Sequence, residues 1–165
     1  MTATVTWAKA PVRPASKSEQ MTKEKKKKGD VGVVVVTHTD YGARLIAAAE
    51  MILGSQDACV SVSVDTTIEI DKTIEALKQS VAIVDGGAGV LLLTDMFGGT
   101  PTNLSLSLLG TGKLEVITGV NLPMLLKVLG MRALSLSKLA EEAKIAGVQG
   151  IVVAGEVLRQ KIAGG

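Results

Sequence analysis

From residue 31 onward the sequence alternates between short apolar runs of strand length and longer stretches with helical periodicity. The unbroken valines at 33–36 and the apolar residues at 90–93 are short and continuous, as in strands that are buried on both faces. Between such runs, apolar residues recur every three or four positions, as on one face of a helix. This alternation predicts an α/β fold, in which a central, mainly parallel sheet is flanked by helices.

The same pattern predicts the individual elements. Parallel strands are expected at 31–36, 59–64, 90–94 and 114–118, and helices at 41–53, 70–83, 100–110, 121–130 and 135–147. A final apolar stretch, 151–158, is predicted as a fifth strand at the sheet edge and is expected to be antiparallel. Because no helix remains to cover this strand, we expect it to be exchanged between the subunits of a homodimer.

Charge divides the chain into two regions. Residues 1–30 contain eight Lys or Arg and three acidic residues, whereas residues 31–165 contain ten and thirteen. The first region has no apolar periodicity and is predicted to be a disordered basic leader, with the folded domain at 31–160. Met21 is a candidate start site, which would make the preceding residues an artefact of the assigned start. A run of four lysines at 25–28 is usually a solvated tail, so no nucleic-acid partner is expected.

Several classes of protein are excluded by what the chain contains. No apolar run approaches the roughly 20 residues that span a bilayer. One cysteine, Cys59, and one histidine, His38, allow neither an intrachain disulfide nor a zinc cluster. Without a secretory signal, a disulfide framework or a membrane span, the chain is expected to be cytoplasmic, with no metal or other cofactor.

His38 is the first candidate site residue. It follows the valine run of the first predicted strand, and open parallel sheets carry their reactive groups at the carboxyl ends of strands. Asp95 follows the third predicted strand in the same way. Its carboxylate is therefore expected to hold one imidazole nitrogen and to leave the other free as a nucleophile.

The second candidate is the loop at 95–103, with the sequence Asp-Met-Phe-Gly-Gly-Thr-Pro-Thr-Asn. Gly98 and Gly99 permit a tight turn, and Thr100 begins a helix whose N–H groups and dipole attract an anion. With His38 nearby, this combination indicates phosphoryl handling. The alternative is that the glycines only turn the chain and Asp95 only caps the helix. Neither a Walker loop nor a dinucleotide fingerprint occurs, so the sequence does not support a nucleotide site.

Four segments, in this order and spacing, resemble the enzyme IIA domain of mannose-class (mannose/fructose/sorbose) sugar phosphotransferase systems. They are a valine-rich strand that ends in Thr-His, Ala-Glu-Met-Ile-Leu-Gly at 49–54, the loop at 95–103, and Gly-Val-Asn-Leu-Pro-Met at 119–124. The resemblance covers about residues 31–158. It implies that His38 is transiently phosphorylated, that Asp95 orients it, and that the protein is a homodimer. The family commonly has glycine directly after this histidine, whereas this chain has Thr39.

The resemblance also implies a phosphotransferase mechanism and its partners. Phosphorylated HPr would donate to the imidazole, and the phosphoryl group would pass to enzyme IIB for sugar uptake, with the membrane subunits IIC and IID involved indirectly. The amides of Gly98 and Gly99 and the hydroxyls of Thr39 and Thr100 would hold the phosphoryl oxygens. The alternatives are a non-catalytic flavodoxin-like module that binds an anion or a partner, and the phosphocarrier subunit of a dihydroxyacetone kinase. The latter is not expected to show the Gly-Gly-Thr-Pro loop.

Overall fold

The computed structural model describes residues 29–65 and 69–163, which include a four-stranded sheet. Its strands are β1 (Gly32–His38), β2 (Cys59–Val64), β3 (Val90–Thr94) and β4 (Leu114–Thr118). All neighbouring strands are parallel, and their order across the sheet is β2-β1-β3-β4. The predicted parallel sheet is therefore confirmed. The basic leader predicted at 1–30 lies outside the described residues, apart from its last two.

Helices connect the strands and cover both faces of the sheet. They are α1 (Tyr41–Leu53), α2 (Ile70–Val84), α3 (Thr100–Ser107), α4 (Leu122–Gly130) and α5 (Leu136–Gln149), followed by a C-terminal helix, α6 (Ala154–Ala163). The first five match the predicted helices to within a few residues. In the described part of the chain, no helix is both long and apolar enough to cross a bilayer.

The two central strands are buried, and successive side chains point to opposite faces of the sheet. Val33 and Val35 pack with α1, α4 and α5, whereas Val34 and Val36 pack with α2 and α3. Burial on both faces explains why β1 is a continuous valine run and does not alternate with polar residues. The rigid β1–β3 pair therefore ends at a well-defined edge, where the loops begin.

The predicted fifth strand at 151–158 is wrong for this chain, because Ala154–Ala163 form a helix and residues 151–153 have no regular structure. A lone strand has unpaired main-chain groups, whereas a helix satisfies them locally. Accordingly, the N–H groups of Glu156 and Val157 both donate to the carbonyl of Val153. A short apolar run does not distinguish a strand from a helix by periodicity alone. Exchange of this segment in a dimer stays a prediction.

Candidate functional site

The sheet register brings the ends of β1 and β3 together. Val36 pairs with Thr94, so His38, the last residue of β1, lies beside Asp95, the first residue after β3. His38 ends one buried strand and Asp95 directly follows another, and the two strands are joined by ladder hydrogen bonds. The sheet thus brings the imidazole of His38 and the carboxylate of Asp95 together at its carboxyl edge, where parallel α/β folds place their ligands.

Three hydrogen bonds fix the carboxylate of Asp95 against His38. Its Oδ2 accepts from the backbone N–H of His38 and from Nδ1 of the ring, both at 2.8 Å. Its Oδ1 accepts from the N–H of Met96 at 2.9 Å. Partial burial acts to raise the pKa of Asp95, but the hydrogen bonds from His38 and Met96 outweigh it and hold the pKa below its usual value.

The tautomer of His38 follows from this contact. An ionised carboxylate can only accept hydrogen bonds, so Nδ1 of a neutral imidazole must carry the proton. Nε2 then has a free lone pair. The side chain of His38 is 40% exposed, compared with 16% for Asp95. The ring is therefore anchored on its inner side and accessible on its outer side, as a nucleophile requires.

Gly99 lies against the imidazole. A Cβ atom at this position would be 3.1 Å from Cε1 of His38, closer than ordinary van der Waals contact, so the ring approaches the backbone closely here. The preceding Gly98 has a φ of 81°, in the left-handed region that glycine adopts without strain. The two glycines thus have different roles, since Gly98 turns the chain and Gly99 leaves space for the ring.

The N-terminus of α3 completes this side of the site. Gly99 precedes the helix, and its carbonyl accepts the N–H of Asn103. The first N–H groups of a helix have no intrahelical acceptor, and Pro101 has no N–H at all. The N–H of Thr100 therefore lies at the positive end of the helix dipole, next to the residue that contacts the ring. Such a terminus suits an anionic group.

Thr39 occupies the turn between β1 and α1. Its φ is 53°, a left-handed conformation that is uncommon for a β-branched residue. The side chain is exposed and adjoins His38 in the chain. Thr39 thus directly follows His38 in the chain, whereas Gly98, Gly99 and Thr100 lie on the loop in which Gly99 approaches the ring.

Other residues of the site were not predicted from the sequence. Met96 and Phe97 are 56% and 78% exposed and form an apolar rim beside the glycines. The hydroxyl of Tyr41 donates to the carbonyl of Val120 at 3.3 Å and so links the His38 loop to the loop after β4. The sequence did contain a sign of this rim, because Met96 and Phe97 are two large apolar residues in a loop whose other residues are small or polar.

The described residues contain no group of three or more His, Cys, Asp or Glu that could hold a metal ion. Cys59 begins β2 and pairs with Val33, at the opposite end of the sheet from His38. Burial raises the pKa of its thiol to about 12, so Cys59 is not an activated nucleophile.

The fold and site together define an open parallel α/β protein that carries one accessible, carboxylate-held histidine beside a helix N-terminus. Residues 32–145 match the EIIA-man family model, described as the PTS system fructose IIA component. The chain belongs to this family. It is an EIIA component of the mannose class, and such components are phosphotransferase components of the sugar phosphotransferase system.

Individual relatives agree with this assignment. The chain is 30% identical over 132 residues to the fructose-specific EIIA component of Bacillus subtilis (strain 168), a match that covers 79% of this chain and 90% of that protein. It is 34% identical over 103 residues to the mannose-specific EIIAB component of Escherichia coli (strain K12). That match covers 62% of this chain and only 32% of the longer Escherichia coli protein.

Solved structures show the same fold. The crystal structure of an EIIA component from Streptococcus agalactiae superposes with a TM-score of 0.70 at 25% identity, covering 76% of this chain and 98% of that one. A mannose/sorbose-specific IIA subunit from Enterococcus faecalis gives a TM-score of 0.69 at 22% identity, covering 75% and 94%. Because the sequence identity to the Enterococcus faecalis subunit is only 22%, that similarity shows a shared fold and nothing further.

Proposed function

We propose that the chain is a phosphohistidine carrier, which accepts a phosphoryl group from phosphorylated HPr on His38 and passes it to an enzyme IIB component. One observation carries this proposal. The Asp95 carboxylate lies 2.8 Å from Nδ1 of His38, while the ring remains 40% exposed and its Nε2 is free. A histidine that only stabilised the fold would not need an exposed ring with a directed lone pair.

The transfer is an in-line substitution at phosphorus. Nε2 of His38 attacks the phosphorus of the donor's phosphohistidine, the bond from Nε2 to phosphorus forms, and the donor's nitrogen–phosphorus bond breaks. The donor imidazole leaves with that electron pair. The His38 ring gains positive charge as the bond forms, and the adjacent carboxylate of Asp95 stabilises it. Positioning and electrostatics supply most of the catalysis in such transfers.

The phosphoryl oxygens are held from two sides. On one side lie the amides around Gly98 and Gly99 and the hydroxyl of Thr100, at the positive end of α3. On the other side lies the hydroxyl of Thr39. Fixed donors that need no rearrangement during the reaction are the most effective at stabilising developing charge.

The carrier proteins dock on the carboxyl edge of the sheet. Met96 and Phe97 offer apolar area there, next to the imidazole, that is exposed in the isolated chain. HPr and enzyme IIB both need access to the same nitrogen, so both use this face. The protein acts in the cytoplasm and serves sugar uptake, with the membrane subunits IIC and IID as indirect partners.

The working form is a homodimer in which the C-terminal segment is exchanged. In the single chain this segment exposes a series of large apolar side chains, namely Ile151, Val152, Val153, Val157, Leu158 and Ile162. Exposed apolar area of this extent usually marks an interface. A second copy of the chain covers it when the segment packs on the neighbouring subunit.

Phosphoryl labelling tests the proposal directly. Incubation with labelled phosphoenolpyruvate, enzyme I and HPr should label the chain once, in an acid-labile and base-stable form. His38→Ala should not be labelled. Cys59→Ala, at the amino-terminal end of the strands and so far from His38, should be labelled normally. Label retained in His38→Ala would contradict the assignment. Unlabelled wild-type protein, with HPr and enzyme I active on a known acceptor, would favour the non-catalytic module.

A further inference from the structure

Two buried threonines lie directly behind the Asp95 loop. The side chains of Thr94, the last residue of β3, and Thr102, in the first turn of α3, are both 0% exposed. Their Oγ1 atoms are 2.7 Å apart. The hydroxyl of Thr102 also donates to the carbonyl of Met96 at 2.6 Å. These contacts bridge the base of the loop that carries Asp95 and both glycines.

The direction of this hydrogen-bond chain follows from counting protons. A threonine hydroxyl has one proton, and that of Thr102 goes to Met96. The hydroxyl of Thr94 must therefore donate to Thr102. A buried hydroxyl that both accepts and donates is held in one orientation, because either contact left unmade would cost the full desolvation of a polar group.

Met96 connects the two threonine hydroxyls to the imidazole of His38. Its carbonyl is held by Thr102, and its N–H donates to Oδ1 of Asp95 at 2.9 Å. Oδ2 of Asp95 then accepts from Nδ1 of His38 at 2.8 Å. Hydrogen bonds on either side of Met96, joined through its backbone, thus connect a fully buried pair of hydroxyls to the partly exposed imidazole of His38.

We propose that Thr102, supported by Thr94, is a positioning residue for the His38 imidazole. By holding Met96, Thr102 holds the orientation of the Asp95 carboxylate, and through it the Nδ1-protonated tautomer that leaves Nε2 free. Thr102 does not touch the transferred group. The effect on transfer rests on the proposed phosphocarrier function, whereas the effect on the tautomer concerns the unphosphorylated protein alone.

The test compares Thr102→Val, which keeps the shape but removes the hydroxyl, with Thr102→Ser, which keeps the hydroxyl. The matched control is Ser105→Ala. Ser105 is also 0% exposed and on α3, but its hydroxyl donates to the carbonyl of Pro101, whereas that of Thr102 donates to the carbonyl of Met96. All three variants change a buried side chain of the same helix, and only Thr102→Val removes the hydrogen bond that holds Met96.

The first measurement is the imidazole nitrogen-15 spectrum at a pH where the ring is neutral. His38 is the only histidine in the sequence, so its signals need no further assignment. We expect the Nδ1-protonated form to dominate in the wild type, Thr102→Ser and Ser105→Ala, and Thr102→Val to show a mixture of tautomers. A spectrum of Thr102→Val identical to that of Ser105→Ala would overturn the proposal.

The second measurement is the single-turnover rate from phosphorylated HPr. Thr102→Val should be slower by roughly five- to tenfold with an unchanged half-saturating concentration of donor, as for loss of one buried hydrogen bond. A rate equal to that of Ser105→Ala would also count against the proposal. If Thr102→Val does not fold, Thr94→Val replaces it and should give the same two changes at smaller size. A wild type that accepts no phosphoryl group would refute the phosphocarrier function, while the spectra would still decide the positioning role.

Discussion

The backbone N–H and the ring Nδ1 of His38 donate to the same oxygen, Oδ2 of Asp95, each at 2.8 Å. Two bonds from one residue to one atom fix both the main chain at the end of β1 and the rotation of the imidazole. A carboxylate that only capped α3 would not make them. The pair is thus a geometric unit, and the predictions below separate its parts.

Replacing the charge of Asp95 should slow transfer and leave the fold intact. In Asp95→Asn the side chain has nearly the same shape but no longer stabilises positive charge on the ring. We expect phosphorylation from HPr to slow by roughly one to four powers of ten, the range for orienting and acid–base residues. Asp57→Asn is the matched control, because Asp57 lies just before β2, at the amino-terminal end of the strands. An unchanged rate in Asp95→Asn would show that the Asp95 charge is not needed for transfer.

The pH dependence of stability should reveal the same contact. Because the pKa of Asp95 is lowered in the folded state, its ionised form stabilises the protein above the carboxyl pKa of the unfolded chain. This contribution is lost as the pH falls through the lower pKa of the folded state. The difference in unfolding free energy between wild type and Asp95→Asn should therefore shrink from about pH 5 downward. Urea denaturation at several pH values measures it, and a constant difference would contradict the expected shift.

Gly99→Ala should disturb the ring without unfolding the chain. The added Cβ would be 3.1 Å from Cε1 of His38, so the imidazole must move by a few tenths of an ångström. Since transfer depends on alignment, we expect the rate to fall roughly tenfold or more. Gly112→Ala is the control, because its Cβ would meet no atom within 4 Å and its φ is not in the left-handed region. Equal transfer rates in the two variants would show that the contact is tolerated.

Two substitutions at Thr39 should separate the effect of its strained backbone on stability from the effect of its hydroxyl on transfer. Thr39→Gly removes a left-handed strain of about 1–2 kcal/mol, partly offset by the greater freedom of glycine in the unfolded chain. A net rise of up to about 1 kcal/mol in unfolding free energy is expected. Thr39→Val keeps the backbone strain and lacks only the hydroxyl. We therefore expect it to accept the phosphoryl group more slowly than wild type. A transfer rate of Thr39→Val equal to or above that of wild type would exclude a phosphoryl contact of this hydroxyl.

Removal of the C-terminal segment tests the dimer. Truncation after Gly150 deletes the exposed apolar residues at 151–162 but also the contacts that they are expected to make with a second subunit. We expect the truncated chain to aggregate or fold poorly, and the melting temperature of the full chain to rise with protein concentration. Sedimentation and thermal scans measure both. A soluble, well-folded monomer would show that the segment is dispensable.

Most of the fold was predictable because its signals are local. Apolar runs and helical periodicity located four strands and five helices, and the carboxyl-edge rule for parallel sheets brought His38 and Asp95 together. The predicted C-terminal strand was wrong, because a short apolar run folds according to its neighbours, which its own periodicity does not specify.

The contacts that hold the site residues in place were not predictable in the same way. The bond between Thr94 and Thr102 depends on hydroxyl orientation across a loop, and threonine is common in strands and at helix starts without any such bond. The left-handed φ of Thr39 follows from the tight connection between β1 and α1, where the hydroxyl of Thr37 accepts the N–H of Gly42. Both features arise from how elements meet, and no single segment encodes them.

The anchoring of His38 on the end of a central strand has a consequence for the order of events. A swinging arm, such as a lipoyl or biotin chain, visits two partners that stand apart, whereas this imidazole stays in place. In the proposed function the carriers must therefore move, and they must occupy the same surface one after the other. Transfer should follow ping-pong kinetics, with unphosphorylated enzyme IIB competing against HPr, and no complex of all three proteins should form around one site.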